Sequence, residues 1–221
     1  MALKALLFDC DGTLVDSESV HRVVWNEVLA PFDVVISEEE YRRHYSGNPV
    51  NTSVEYLLEC HPHIDERAEA LIRRKTAETT ARFAREPVPL MAGVHQAFAW
   101  AGEQQLRCAL VTGSGHDEIA PILSQHDLHR HFECLVARQD VEHSKPHPAS
   151  YLRALALLDI APEQAIALED TSHGVRSAVA AGVEVIAIPN AYSREHDFDG
   201  AVAVVDDLEA AIAWIQANRV S

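Results

Sequence analysis

The feature that most limits the fold is an alternation. Short apolar runs recur along the chain, at Ala5–Phe8, Cys108–Val111, Cys134–Ala137, Ala165–Leu168, Val183–Ile188 and Ala201–Val205. They are rich in Val, Ile and Leu and show little in–out alternation, the pattern of strands buried on both faces. Between them, Ala92–Gln105, Pro148–Leu158 and Gly174–Ala181 carry apolar residues at helical spacing, and Gly182 reads as a C-terminal cap. Strand, helix and strand in succession require a parallel sheet with right-handed crossovers.

One segment breaks the alternation. From about Ser17 to Arg85 no strand pattern occurs, and Val20–Leu29, Glu38–Tyr45, Thr52–Cys60 and Glu66–Phe83 all read as helices. Pro87 and Pro89 stiffen the return. The expected fold class is α/β, with a Rossmann-like parallel-sheet core from residues 1–16 and 87–221. An all-helical cap domain, residues 17–86, is inserted after the first strand.

Composition narrows the function classes. Apolar residues make up 48% of the chain, enough for a sizeable core. Lys plus Arg number 18 and Asp plus Glu 34, so the formal charge is 18 − 34 = −16. Such a surface repels phosphate backbones, which argues against nucleic acid as a partner, and an anionic substrate needs a local cation. No apolar run approaches the roughly 20 residues of a membrane span. The N-terminal MALKALLFDCDG runs into polar residues without a cleavage signal. Cys10, Cys60, Cys108 and Cys134 show no C-x-x-C spacing, so reduced thiols in a cytoplasmic protein are expected.

Open parallel sheets bind ligands at the carboxyl ends of their strands. Asp9-Cys10-Asp11-Gly12-Thr13-Leu14 follows the first run, Thr112-Gly113-Ser114-Gly115 the second and Glu169-Asp170-Thr171 the fourth, and Lys145-Pro146 comes shortly after the third. Each has a plain reading alone. Asp-x-Asp-Gly makes turns, Ser114 or Asp117 can cap a helix, Glu169-Asp170 can cap one starting near Ser172, and Lys145 can be a solvated charge. Their conjunction on one rim is what points to chemistry. Clustered carboxylates repel unless a cation sits among them, and oxygen-only ligands suit Mg²⁺. A carboxylate can attack a phosphoryl group, and a second acid two residues on can protonate the leaving oxygen and later activate water. Hydroxyls and amides at Thr112, Gly113 and Ser114 can hold phosphate oxygens, and Lys145 can neutralise the charge shared with the nucleophile.

These residues resemble the haloacid dehalogenase superfamily, in the branch of β-phosphoglucomutase and small sugar-phosphate phosphatases. The resemblance spans nearly the whole chain and rests on Asp9 to Ser17, Thr112-Gly113-Ser114, Lys145-Pro146-His147-Pro148 and Glu169 to Gly174. It implies that Asp9 is the nucleophile, forming an aspartyl-phosphate, with Asp11 as general acid and base. It further implies that Mg²⁺ is held by Asp9, the backbone carbonyl of Asp11 and Asp170, with Glu169 a further or water-mediated ligand. Thr112 and Gly113 then bind the phosphate, Lys145 bridges it to Asp9, and His21 stands near the acid/base. A monomer acting on a small-molecule phosphate monoester is implied.

Two departures bear on function. Thr171 replaces the commoner Ser of the fourth motif and keeps its hydroxyl. In the cap loop Tyr45-Ser46-Gly47-Asn48-Pro49-Val50, Val50 stands where hexose-phosphate mutases of this branch carry an Arg for a second phosphate. Among Arg42, Arg43, Arg73, Arg74 and Lys75, the expected exception to a solvated role is Lys75 or Arg74. The leading expectation is an Mg²⁺-dependent phosphatase on a sugar or polyol phosphate. A β-phosphoglucomutase-type isomerase is the first alternative, disfavoured by Val50. A dehalogenase is disfavoured by Asp11, and a phosphonate hydrolase by the lack of Lys in Ser17–Leu29. A catalytically silent binding or regulatory member is disfavoured by the intact motifs.

Overall fold

The computed structural model describes residues 2–219; Met1, Val220 and Ser221, the ends of the expected core, lie outside the described residues. Within them the alternation becomes a six-stranded parallel sheet in the order β3-β2-β1-β4-β5-β6. The strands are β1 Ala5–Phe8, β2 Arg107–Val111, β3 Cys134–Val136, β4 Ala165–Glu169, β5 Glu184–Ala187 and β6 Ala203–Val204. β1 sits at the centre, paired with β2 through Leu6↔Cys108 and with β4 through Leu6↔Ile166. The expected α/β class and parallel sheet therefore hold. The last two strands are shorter than their apolar runs, because β6 is an edge strand and Val204 faces solvent.

The helices follow from where each stretch finds apolar partners. α1 Glu18–Leu29, α2 Glu38–His44, α3 Val50–Cys60 and α4 Ala68–Arg85 form one group, and α5 Val94–Glu103, α6 His116–Gln125, α7 Ala149–Leu158, α8 Ser172–Ala180 and α9 Leu208–Arg219 flank the sheet. The sequence reading named neither α6 nor α9. α6 holds Pro121 inside its span, a residue that disfavours a helix interior.

Each sheet face has its own core. Leu6, Phe8, Leu110, Ile166, Leu168 and Ile186 face α5, α6 and α9. Ala5, Leu7, Ala109, Val111, Ala165, Ala167, Val185 and Ala187 face α7 and α8. The second face is built mainly of Ala and Val, so its helices meet small side chains. α1 to α4 bury a third cluster around Trp25, Tyr41, Tyr45, Leu57 and Leu71.

The chain leaves the sheet and returns at one place. Val15 bridges Leu90 antiparallel, Met91 N–H donates to Leu14 C=O at 2.9 Å, and Asp16 N–H donates to Pro89 C=O at 2.9 Å. The helical segment thus hangs from two adjacent connections over the carboxyl end of β1. α4 packs on α6, joining the segment to the sheet's outer layer.

Candidate active site

Parallel strands end on one rim, so the residue after each strand faces the same space. Asp9 follows β1 directly. Its Oδ1 accepts a hydrogen bond from Lys145 Nζ at 2.7 Å, and Lys145 also donates to Glu169 Oε1 at 2.5 Å and to the Val111 carbonyl at 2.8 Å. Lys145 is buried, which alone would lower its proton affinity; the charges of Asp9 and Glu169 more than reverse that, so it stays an ammonium. Tyr151, buried on α7, donates to the same Oε1 of Glu169 and lies 5.3 Å under the ammonium, measured to its ring centroid.

Asp9, Glu169 and Asp170 each bring one carboxylate oxygen within 4.8 Å of the others. Glu169 Oε2 and Asp170 Oδ1 are buried and have no hydrogen-bond partner among the described residues. Burial first, opposed by Lys145 and reinforced by Glu169 and Asp11, pushes the Asp9 carboxyl up to about 8. Asp170 is pushed well above the usual carboxylate range by burial and then by Asp9 and Glu169. An all-oxygen set with idle buried lone pairs fits a hard divalent cation such as Mg²⁺. Gly12, at φ +82°, is required here, since a Cβ would strike the Asp170 carboxylate and Asn190. Asn190 Nδ2 donates to Asp170 Oδ2 at 2.7 Å and fixes that carboxylate.

Asp11 points elsewhere. Ser17 donates to its Oδ1 at 2.6 Å and Ser114 to its Oδ2 at 2.7 Å. His21 Nε2 approaches Oδ1 at 3.4 Å, while His21 Nδ1 takes a hydrogen bond from Lys75 Nζ at 2.8 Å. An ammonium only donates, so Nδ1 is the acceptor and the ring proton sits on Nε2, toward Asp11. Burial would raise the Asp11 carboxyl, but His21, Ser114 and Ser17 outweigh it and hold it well below the ordinary range. One acid is thus gripped from the core by Ser114 and from the helical segment by Ser17 and His21.

The cavity above these groups measures about 120 Å³. One water takes about 10–15 Å³ by this measure, so there is space for on the order of ten waters, the scale of a small molecule. Asp9, Asp11, His21, Gly47, Lys75, Gly113, Ser114, Lys145 and Asp170 line it. Thr112 and Glu169 stand behind that lining, and Thr112 Oγ1 accepts the Ser114 N–H at 3.0 Å. Gly47, at φ +68°, lies so close to Thr171 that a Cβ would come within 2.6 Å of its methyl, so the loop is seated on the core. Arg74 pairs with Glu66 and is not part of the lining, unlike Lys75. Neither plain capping role is realised: α6 is capped at Gly115 and α8 by Thr171, whose Oγ1 accepts the Gly174 N–H at 3.2 Å.

Residues missed in the sequence complete the wall. Glu18 accepts from Tyr41 OH at 2.7 Å, with its carboxyl raised mainly by burial. Trp25, Tyr41, Glu118, Arg138 and His173 also line the cavity. Arg138 and Asn190 were findable, because each stands two positions or fewer past an apolar run at the same rim.

A family model described as haloacid dehalogenase-like hydrolase matches residues 6–188. The chain is 34% identical to Protein CbbY of Rhodobacter capsulatus over 222 residues, covering 96% of each chain. It is 30% identical to fructose-1-phosphate phosphatase YqaB of Escherichia coli K12, over 82% of this chain and 94% of that one. Its fold is similar to CbbY from Rhodobacter sphaeroides in complex with phosphate, at TM-score 0.83 and 30% identity, covering 93% and 94%. A mutant of that CbbY in complex with xylulose-(1,5)bisphosphate gives TM-score 0.81 at 29% identity, again covering 93% and 94%.

Proposed function

Because the chain belongs to the haloacid dehalogenase-like hydrolase family, we propose that it is a phosphatase acting on a small sugar or polyol phosphate through an aspartyl-phosphate on Asp9. The observation that carries this reading is the split between two neighbouring acids. Asp9 is pinned by Lys145 against Glu169 and Asp170, while Asp11 is held apart by hydroxyls and His21. This split supports attack by Asp9 and proton transfer by Asp11.

An Asp9 carboxylate oxygen attacks phosphorus, and the ester P–O bond breaks with its electron pair leaving on the sugar oxygen, which takes a proton from Asp11. Asp11 then takes a proton from water as the water oxygen attacks phosphorus, releasing inorganic phosphate and restoring Asp9. The hydrogen bonds to Asp11 favour its ionised form, the state that the second half needs. A substrate dianion beside it raises its proton affinity for the first half. Lys145, the Gly113 amide and Ser114 offset charge on the phosphoryl oxygens. Asp9, Asp170 and Glu169 are the residues to hold Mg²⁺, which supplies polarisation of the phosphoryl group. The named activity of YqaB and the sugar bisphosphate bound by CbbY support a phosphorylated sugar as the substrate class.

A mutase must exclude water and hold the far phosphate of a bisphosphate with a cap cation. Val50, which begins α3 at the cavity wall, offers none at that loop position, and Lys75, the cation of the segment that does line the cavity, is engaged with His21. Incubation with β-glucose 1-phosphate and Mg²⁺ tests this. Free phosphate is expected without lag and without a bisphosphate primer; faster accumulation of glucose 6-phosphate overturns the phosphatase reading. A panel of phosphate monoesters identifies the substrate. Chelation is expected to abolish turnover, and Asp170→Ala to raise the Mg²⁺ requirement at least about tenfold. Full activity in excess chelator contradicts the metal assignment.

A further inference from the structure

One side chain of the sheet half sits in the helical segment's own core. Tyr192, in the loop after β5, packs against the cluster around Trp25, Tyr41 and Tyr45; among the described residues, the rest of that cluster and of the side chains packed on it come from residues 17–86. Its ring meets Tyr41 edge-on at 5.6 Å between centroids, and the Arg42 guanidinium carbon lies 5.8 Å from its centroid. Tyr41 passes the contact on, stacking on Tyr45 and donating to Glu18 at 2.7 Å, and all three line the cavity. The backbone of Tyr192 is tied to the acidic cluster. Asn190 Nδ2 donates to Asp170 Oδ2 at 2.7 Å, while Asn190 Oδ1 accepts the Tyr192 N–H at 2.8 Å. Both bonds use one planar amide. The reversed amide would set oxygen against carboxylate and NH₂ against N–H, so its orientation is fixed. Ser193, fully buried, closes the turn: its Oγ accepts the Asn190 N–H at 3.0 Å, and its N–H donates to the Asn190 C=O at 3.2 Å. Asn190 occupies Oδ2 of Asp170, and Oδ1 is the oxygen left without a partner among the described residues.

We propose that Tyr192 is a positioning residue that couples the seating of the helical segment to cation binding at Asp9, Glu169 and Asp170. Its ring is the peg on which α2 sits, and Asn190 carries that seating to the Asp170 carboxylate. This rests on the metal-dependent phosphatase reading and adds to it a link between the two halves of the molecule. When α2 moves off, Tyr192 loses the aromatic contact that holds its loop, the shared amide is freed to turn, and Asp170 loses the donor that aims its idle oxygen. A bound cation fixes that carboxylate, hence the amide, hence the ring against which α2 packs. By linkage, each event favours the other by the same factor. The cation is then held best when the cavity is closed over it, and a substrate that draws the segment down also tightens the metal. Asp11 is not needed for this link, because its ties to Ser17 and His21 run along a separate path.

Two measurements test the link without turnover: the rise of melting temperature with Mg²⁺ concentration, which reports affinity, and hydrogen exchange of α2 with and without Mg²⁺. In the parent, Mg²⁺ should slow exchange across Glu38–His44 about fivefold or more. Tyr192→Ala should weaken Mg²⁺ binding about fivefold or more and abolish that protection, whereas Tyr192→Phe, which keeps the ring, should keep both within about twofold. Asn190→Ala should weaken binding too. The double variant should then be weaker than Asn190→Ala by no more than about twofold, since the two residues act along one path. Because the ring touches no reacting atom, saturating Mg²⁺ should restore turnover of Tyr192→Ala to within about threefold of the parent. If Tyr192→Ala melts too early to be measured, Tyr192→Leu, which keeps bulk without the ring, decides by the same two readouts. Mg²⁺ affinity within about twofold of the parent, additive losses in the double variant, or turnover that stays low at saturating Mg²⁺ overturns the proposal. A parent that binds no Mg²⁺ overturns the metal assignment and this proposal with it, whereas binding and turnover that ignore Tyr192 overturn this proposal alone.

Discussion

The sheet and the helical segment bury their apolar side chains in different ways. Every strand side chain of β1 is fully buried and aliphatic or aromatic, and the polar groups begin only where the strand ends, at Asp9. The helical segment packs around rings with polar tips: Trp25 meets Tyr45 edge-on at 5.6 Å, and Tyr41 stacks on Tyr45 at 6.0 Å. Tyr41 and Trp25 also line the cavity, so in this half the packing core and the binding wall are the same residues. The core thus separates stability from chemistry, with one in the strands and the other at their ends. The helical segment cannot change its contacts with a ligand without repacking itself.

The sharpest test of that separation is Asp9→Asn. Turnover is expected to fall at least about a thousandfold, with a melting temperature within a few degrees of the parent. Residual hydrolysis within about tenfold of the parent breaks the covalent mechanism.

A second comparison sets Leu110→Ala in β2 against Leu71→Ala in α4, both at fully buried positions. Each truncation should cost about 2–5 kcal/mol locally. The first should lower the main unfolding transition. The second should mainly speed hydrogen exchange and proteolysis within residues 17–86 and raise KM, because α4 carries Lys75. Equal effects of both on the main transition would mean that the two parts unfold as one.

The smallest effect is a pH dependence confined to the sheet half. His131, stacked on Phe98 at 4.3 Å, is shifted below its ordinary value by burial and then by Arg130; His173 is shifted the same way by burial and then by Arg176. A depressed pKa contributes stability above the unfolded value of about 6.5 that is lost as pH falls through the folded one. The raised carboxyls of Asp9 and Asp170 act in the opposite sense over the same window, so the histidine contribution is read as a difference. Between about pH 7.5 and 5 the parent should lose roughly 1–3 °C relative to His131→Gln. An equal or smaller loss in the parent than in His131→Gln would reverse the sign.

The same contrast explains what could be read from the chain. β1, β2 and β4 announce themselves because burial on both faces forces unbroken apolar runs, and the rim rule then locates Asp9, Thr112 and Glu169. Asn190 and Arg138 obey that rule too, but they stand in no motif. Glu18 and Tyr41 were not legible, since their hydrogen bond joins two helices across 23 residues and depends on the packing of rings. α6 was hidden by Pro121, an interior proline that the chain tolerates here.

The adjacent exit and return of the chain have a consequence for how such a molecule can change. Asp16 and Pro89 are joined by one hydrogen bond, so the sheet meets the whole helical segment as a loop whose ends already touch. Closing a loop costs only about 0.6 kcal/mol more for each doubling of its length. The sheet is therefore nearly indifferent to how many residues lie between those two points. A lineage, or an engineer, can lengthen, trim or exchange the segment as a module and keep the nucleophile, the lysine and the acidic cluster in register. What must travel with the module is the short list of groups that reach back to Asp11: Ser17, His21 and, through His21, Lys75.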